Sequence, residues 1–137
     1  MNLVDSSAWI EYLFAEPNAA YFTKPIERTK DLLVPVICLY EVFKKIHSVA
    51  DEARSLQAVA QMEQGQVVDV TKETALSAAS ISLEHKLPMA DSLIYAIGKA
   101  YGATIWTQDE DFKGLPNVRY KKKQIIKATA PRKTGGR

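Results

Sequence analysis

Residues 87–112 place a helix directly before a buried strand, and that order constrains the fold more than any other feature. Pro88 stands just ahead of the helix, Asp91 falls in its first turn, and Ala90, Leu93, Ile94, Ile97 and Tyr101 recur at helical spacing. Gly102 follows where a left-handed cap ends a helix. Residues 103–107 then read as a short strand of β-branched and aromatic side chains, closed by an acidic turn. A helix running straight into a buried strand is an αβ unit of a parallel sheet, and such sheets bind ligands beyond the carboxyl ends of their strands. Asp91 opens a helix and Asp109 follows a strand, so both carboxylates can reach that edge.

The rest of the chain repeats the alternation. Residues 2–5 form a very short strand, and Asp5, Ser6 and Ser7 can cap a helix with Trp9, Ile10, Leu13 and Phe14 as its inner face. Pro17 and Asn18 break it, and a weaker helix spans 19–29 despite Pro25. Leu32, Leu33 and Val34 make a strand ended by Pro35. Two helices follow, over 36–50 (Val36, Leu39, Tyr40, Phe43, Ile46, Ala50) and 51–64 (Ala53, Leu56, Val59, Ala60, Met62), the second closed by Gly65. A strand at 67–70, a helix at 71–85 with Ala75, Ala78, Ala79 and Leu83 on one side, and an edge strand at 117–120 complete the pattern. Strand and helix in alternation predict an α/β sandwich with a mainly parallel sheet.

A chain of 137 residues is one domain with a single core. Cys38, the one cysteine, lies among Val36, Ile37 and Leu39 with no partner histidine, and reads as a buried, inert thiol. No cationic leader and no run of about 18 apolar residues is present, so the expectation is a protein of the reducing cytoplasm with no membrane association. The net charge of +2 conceals an asymmetry. Residues 121–137 carry seven of the 18 basic side chains and no acid, which leaves 11 basic against 16 acidic before them, a net of −5. The expected organisation is a domain over 1–128 and a basic, flexible tail over 129–137.

Four acids stand where helix meets strand or among apolar neighbours: Asp5, Glu41, Asp91 and Asp109. Singly, each has an ordinary role. Asp5 and Asp91 suit helix starts, Glu41 can pair with Lys44 or Lys45, and Asp109 can cap the turn at 109–112. Their joint position at one sheet edge is harder to explain that way. Like charges that converge either take up protons or hold a cation, and an all-oxygen set favours Mg²⁺ or Mn²⁺. One or two such ions, about 3.5–4 Å apart when paired, suit hydrolysis of a phosphodiester. His47 and His85 lack zinc spacing, and Ser6, Ser7 and Thr107 have no neighbouring base to make any of them a nucleophile.

In order and spacing, Leu3-Val4-Asp5-Ser6-Ser7, Leu39-Tyr40-Glu41-Val42, Met89-Ala90-Asp91-Ser92-Leu93-Ile94 and Trp106-Thr107-Gln108-Asp109-Glu110-Asp111-Phe112 resemble a PIN-domain ribonuclease of the VapC toxin type, from residue 2 to about 120. The resemblance implies a three-layer sandwich, a mainly parallel central sheet flanked by helices. It implies that Asp5, Glu41, Asp91 and Asp109 are the catalytic, metal-holding acids, with Ser6 and Thr107 as polar supports and Asp111 as a second acid of the turn. It further implies Mg²⁺, with Mn²⁺ as a substitute, a structured RNA substrate such as tRNA or rRNA, a VapB-type antitoxin that covers the acidic pocket, and a homodimer. Trp106 departs from the smaller aliphatic residue common at that position, and the extension from Lys121 lies beyond the shared core.

Because an acidic pocket repels RNA, Lys44, Lys45 and the basic tail are the candidate phosphate contacts. Tyr21, Phe22, Ile26 and Phe43 are either core or a dimer face. The alternative reading is a catalytically silent PIN-like module that binds RNA or protein, which intact acids at all four positions disfavour. A haloacid-dehalogenase-like phosphatase needs an aspartate two residues after Asp5, where Ser7 stands.

Overall fold

The computed structural model describes residues 1–125, and the tail expected at 129–137 lies outside the described residues. The first strand, β1 (Asn2–Val4), occupies the middle of the sheet, with Leu3 and Val4 fully buried. On one side it pairs with β2 (Leu32–Pro35), and β2 pairs with β3 (Gln66–Val68). On the other side it pairs with β4 (Thr104–Thr107), and β4 pairs with β5 (Val118–Tyr120). All four pairings are parallel, in the order β3-β2-β1-β4-β5. Every residue of β2 is buried, as a strand covered on both faces must be.

Six helices connect the strands: α1 (Ser6–Leu13), α2 (Ala19–Glu27), α3 (Val36–Val49), α4 (Glu52–Met62), α5 (Lys72–His85) and α6 (Met89–Ala100). The chain steps outward from β1 through β2 to β3, then returns to β4 on the far side of β1. That reversal lies between β1 and β4, and it opens a crevice at their carboxyl ends. The α/β sandwich with a parallel sheet is therefore as expected. Helix α6 ends as its residues dictate, with Gly102 at φ +62°. A closer steric demand falls at Gly65, where a Cβ would come within 2.9 Å of both the Leu32 carbonyl oxygen and Val34 Cγ2.

Several faces differ from expectation. In α1, Trp9 is buried but Phe14 is exposed, and the buried partners are Ala8 and Glu11. Ile10 and Leu13 pack against the core at partial burial, as expected, and Ser6, Ser7 and Ile10 also line the crevice. Helix α3 buries Cys38, Val42 and Ile46, whereas Val36, Leu39, Tyr40 and Phe43 line an outer groove shared with Val59 of α4. Helix α4 buries Ser55, Ala58 and Met62 and leaves Ala53, Leu56 and Ala60 exposed. Helix α5 buries Ala78 and Ile81 and exposes Ala75, Ala79 and Leu83, because apolar residues are spread around it and mark no one face. Phe22 and Ile26 are core residues, which removes them from any dimer face. Strand β3 begins one residue before the expected 67–70 and stops two residues short of it, at Val68. No helix of the described residues is long and apolar enough to cross a membrane.

Candidate metal centre

Asp5 stands one residue past β1 as the N-cap of α1. Its Oδ1 accepts from the Ala8 amide at 3.0 Å and the Ser7 hydroxyl at 2.8 Å, and its Oδ2 accepts from the Thr107 hydroxyl at 2.8 Å. Three of about four lone-pair sites are thus engaged, which holds the carboxylate rigid and leaves room for one more ligand. Thr107 Oγ1 also accepts from the Asp109 amide at 2.9 Å, so one hydroxyl ties the carboxyl end of β4 to that of β1. Ser6 reaches the other way and donates to Glu41 Oε1 at 2.6 Å. Glu41 is absent from the ion pairs of the described residues, so it pairs with neither Lys44 nor Lys45 there.

Asp91 lies in the first turn of α6. Asp109 caps the 3-10 turn Glu110–Phe112 by accepting from the Asp111 amide at 2.9 Å. Phe112 anchors that turn in the core. The ordinary capping roles of Asp5 and Asp109 are therefore real, and they coexist with convergence. Asp5, Ser6, Ser7, Ile10, Glu41, Lys45, Asp91, Gln108, Asp109 and Lys123 line one cavity of about 380 Å³. Lys44 is not among them; its ammonium lies 5.6 Å from the centre of the Tyr40 ring in the outer groove.

Carboxylate oxygens of Asp91 and Asp109, which line the crevice, and of the exposed Asp111 beside it all lie within 4.8 Å of one another. Asp111 thus joins the closest group of acids, a place its sequence position alone did not give it. Burial pushes the Asp5 carboxyl up to about 7, against the lowering by Thr107, Ala8 and Ser7, with the charge of Asp109 adding to the rise. Burial also pushes Asp91 up to about 8, with the Asp109 charge, a hydrogen bond to Asp111 and the charges of Asp5 and Asp111 acting in the same sense. Burial is thus the main reason both carboxyls resist ionising, and the neighbouring acids add to it. An oxygen-only donor set of this kind fits a hard divalent ion such as Mg²⁺ or Mn²⁺. Burial raises the Cys38 thiol far above its ordinary range, so it is inert, as expected.

Two residues of the crevice went unrecognised in the sequence. Gln108 is 7% exposed and lines it, as does Lys123 from the segment after β5. Both connect to Glu11, a buried acid on α1. Glu11 stands in Trp9-Ile10-Glu11-Tyr12-Leu13, among apolar residues just as Glu41 does, and the same signal marks both. Nothing distinguishes Lys123 from its neighbours in the run Lys121-Lys122-Lys123.

No curated protein matches the sequence. Solved structures do match the fold. A toxin–antitoxin complex from Klebsiella pneumoniae superposes with a TM-score of 0.73 at 19% identity, over 87% of this chain and 96% of that one. VapC20 of Mycobacterium tuberculosis, described as a Sarcin-Ricin loop cleaving toxin, gives 0.71 at 17% identity over 85% and 95%. DNA-bound VapBC from Salmonella typhimurium gives 0.68 at 18% identity over 89% and 98%. At these identities the likeness is one of fold. The family model for the PIN domain matches residues 3–118, so with that span and this topology the chain belongs to the PIN-domain family.

Proposed function

We propose that the protein is a Mg²⁺-dependent endoribonuclease of the VapC type, the toxin of a type II toxin–antitoxin pair acting in the cytoplasm. The observation that carries the reading is the convergence of Asp5, Glu41, Asp91 and Asp109 on one crevice, from four separate elements of a PIN fold. In this reading Asp91, Asp109 and Asp111 hold the cation, with Asp5 and Glu41 completing the acidic wall. A bound Mg²⁺ or Mn²⁺ would neutralise phosphate charge and lower the pKa of a water, so that the hydroxide left on its deprotonation is available to attack phosphorus near neutral pH. Thr107 keeps Asp5 oriented, and Ser6 does the same for Glu41. Lys45 at the rim is the candidate phosphate contact from α3.

The substrate in this reading is a structured RNA of the tRNA or rRNA class, a choice supported by the printed activity of one structural neighbour. Neighbours solved as toxin–antitoxin complexes support a VapB-type antitoxin. The outer groove of about 730 Å³, with Tyr40 at 62% exposure, gives such a partner an apolar seat on the helix that also carries Glu41. Self-association into a homodimer has exposed Leu76 and Leu83 of α5 and nearby Met89 available to it.

The test is cleavage of total tRNA and rRNA by purified protein in Mg²⁺ or in EDTA, beside Asp91→Asn. Cleavage is expected only with metal, and loss of one acid at a cost of several kcal/mol lowers the rate by about 10²-fold or more. Cleavage that persists in EDTA, or an Asp91→Asn protein as active as the parent, overturns the reading.

A further inference from the structure

The segment after β5 is fastened to the α1–α2 corner, with Lys123 lining the acidic crevice, by a largely buried polar network that the metal centre does not need. Glu11, 1% exposed, accepts from the Asn18 amide at 2.7 Å through Oε2. Its Oε1 accepts from the Gln108 side-chain amide at 2.9 Å and from the Lys123 ammonium at 3.4 Å. Asn18, 2% exposed, donates to Gln108 Oε1 at 3.1 Å and to the Lys122 carbonyl at 2.9 Å, and accepts from Gln124 Nε2 at 3.0 Å. Residues 122, 123 and 124 are thus each held by the α1–α2 corner. A buried carboxylate adds little to net stability even when paired, because desolvation offsets the attraction. What this one does achieve is placement: Lys123 lines the crevice together with Asp5, Asp91 and Asp109, and its side chain stays 61% exposed.

The charge of Glu11 is shared among three donors, and a lysine ammonium has three protons, of which Glu11 takes one. The crevice that Lys123 lines must admit an anionic strand past its own acids. We propose that Lys123 is a phosphate-binding residue for the RNA strand entering the crevice, and that Glu11 is the positioning residue that aims it. The assignment rests on the nuclease reading. It also gives part of the basic extension a defined place, since Lys123 is the member of that run that lines the crevice.

The test measures binding of a single-stranded RNA oligonucleotide across a salt series, in the Asp91→Asn background so that no strand is cut. One lost phosphate contact reduces the slope of log K against log salt by about 0.7. Lys123→Ala is expected to show that reduction with weaker binding, and Lys123→Arg to restore the slope. Glu11→Gln removes a negative charge and would strengthen binding if charge alone mattered. A positioning role predicts weaker binding and a reduced slope instead. An unchanged slope in Lys123→Ala overturns the proposal alone. A parent chain that binds no RNA overturns the nuclease reading and this proposal with it.

Discussion

Thr107 shows how one side chain serves both fold and site. Its hydroxyl is fully buried, donates to Asp5 and accepts from the Asp109 amide, so it fixes two acids from two strands at once. Supporting groups of this kind usually alter metal affinity without touching the ion. Thr107→Val keeps the shape and removes both bonds. It is expected to weaken Mn²⁺ binding by about 10–100-fold, as read by titration calorimetry. Because the Asp109 amide loses its acceptor, stability falls as well, by about 1–3 kcal/mol in a denaturant titration. An affinity equal to the parent's would mean that Asp5 needs no orientation from β4. Trp106, the residue that departs from the family pattern, is explained by packing: it stacks under Arg119, leans on Tyr21, and donates to Asn2 Oδ1 at 2.9 Å.

The elements are held together by close approaches that a sequence marks only with glycine. At Gly65 the turn after α4 passes so near β2 that an added Cβ meets a backbone oxygen and the Val34 side chain. Backbone does not yield as a flexible side chain does, so Gly65→Ala is expected to cost about 1–3 kcal/mol in chemical denaturation. A stability within a few tenths of the parent's would show that the turn relaxes. The positions of β1, β2 and β4 and the α6 boundaries were legible because buried parallel strands and the Pro88–Gly102 punctuation leave strong local signals, whereas the more exposed β3 was misplaced. The inward faces of α3, α4 and α5 were less legible. Each carries apolar residues on more than one side, and only the tertiary packing decides which side faces the sheet and which the solvent. Asp5, Asp91 and Asp109 were legible from their places at strand ends and a helix start, and Glu41 from its apolar neighbours, whereas the links of Glu11 to Gln108 and Lys123 depend on segments 97 and 112 residues further along folding back.

At the scale of the whole molecule, folding forces together acids that would rather be apart. The site concentrates the negative charge that the first 120 residues carry in excess. Asp5 and Asp91 both have folded values raised above the ordinary 3.8, to about 7 and about 8. A raised carboxyl binds more protons in the folded than in the unfolded state across that interval. Stability without metal therefore falls as pH rises from about 4 to about 8, and it is greatest where both groups are protonated. A divalent ion that binds only the folded chain opposes that fall.

The most direct measurement is the thermal midpoint between pH 5 and 9, in EDTA and in saturating Mg²⁺, for the parent and for Asp91→Asn. The parent is expected to lose stability with rising pH in EDTA and to recover it in Mg²⁺. The gap between the two curves should widen above pH 7, close toward pH 5, and shrink sharply in Asp91→Asn. Parent curves that coincide with and without Mg²⁺ throughout would contradict the claim that these carboxylates form a metal centre.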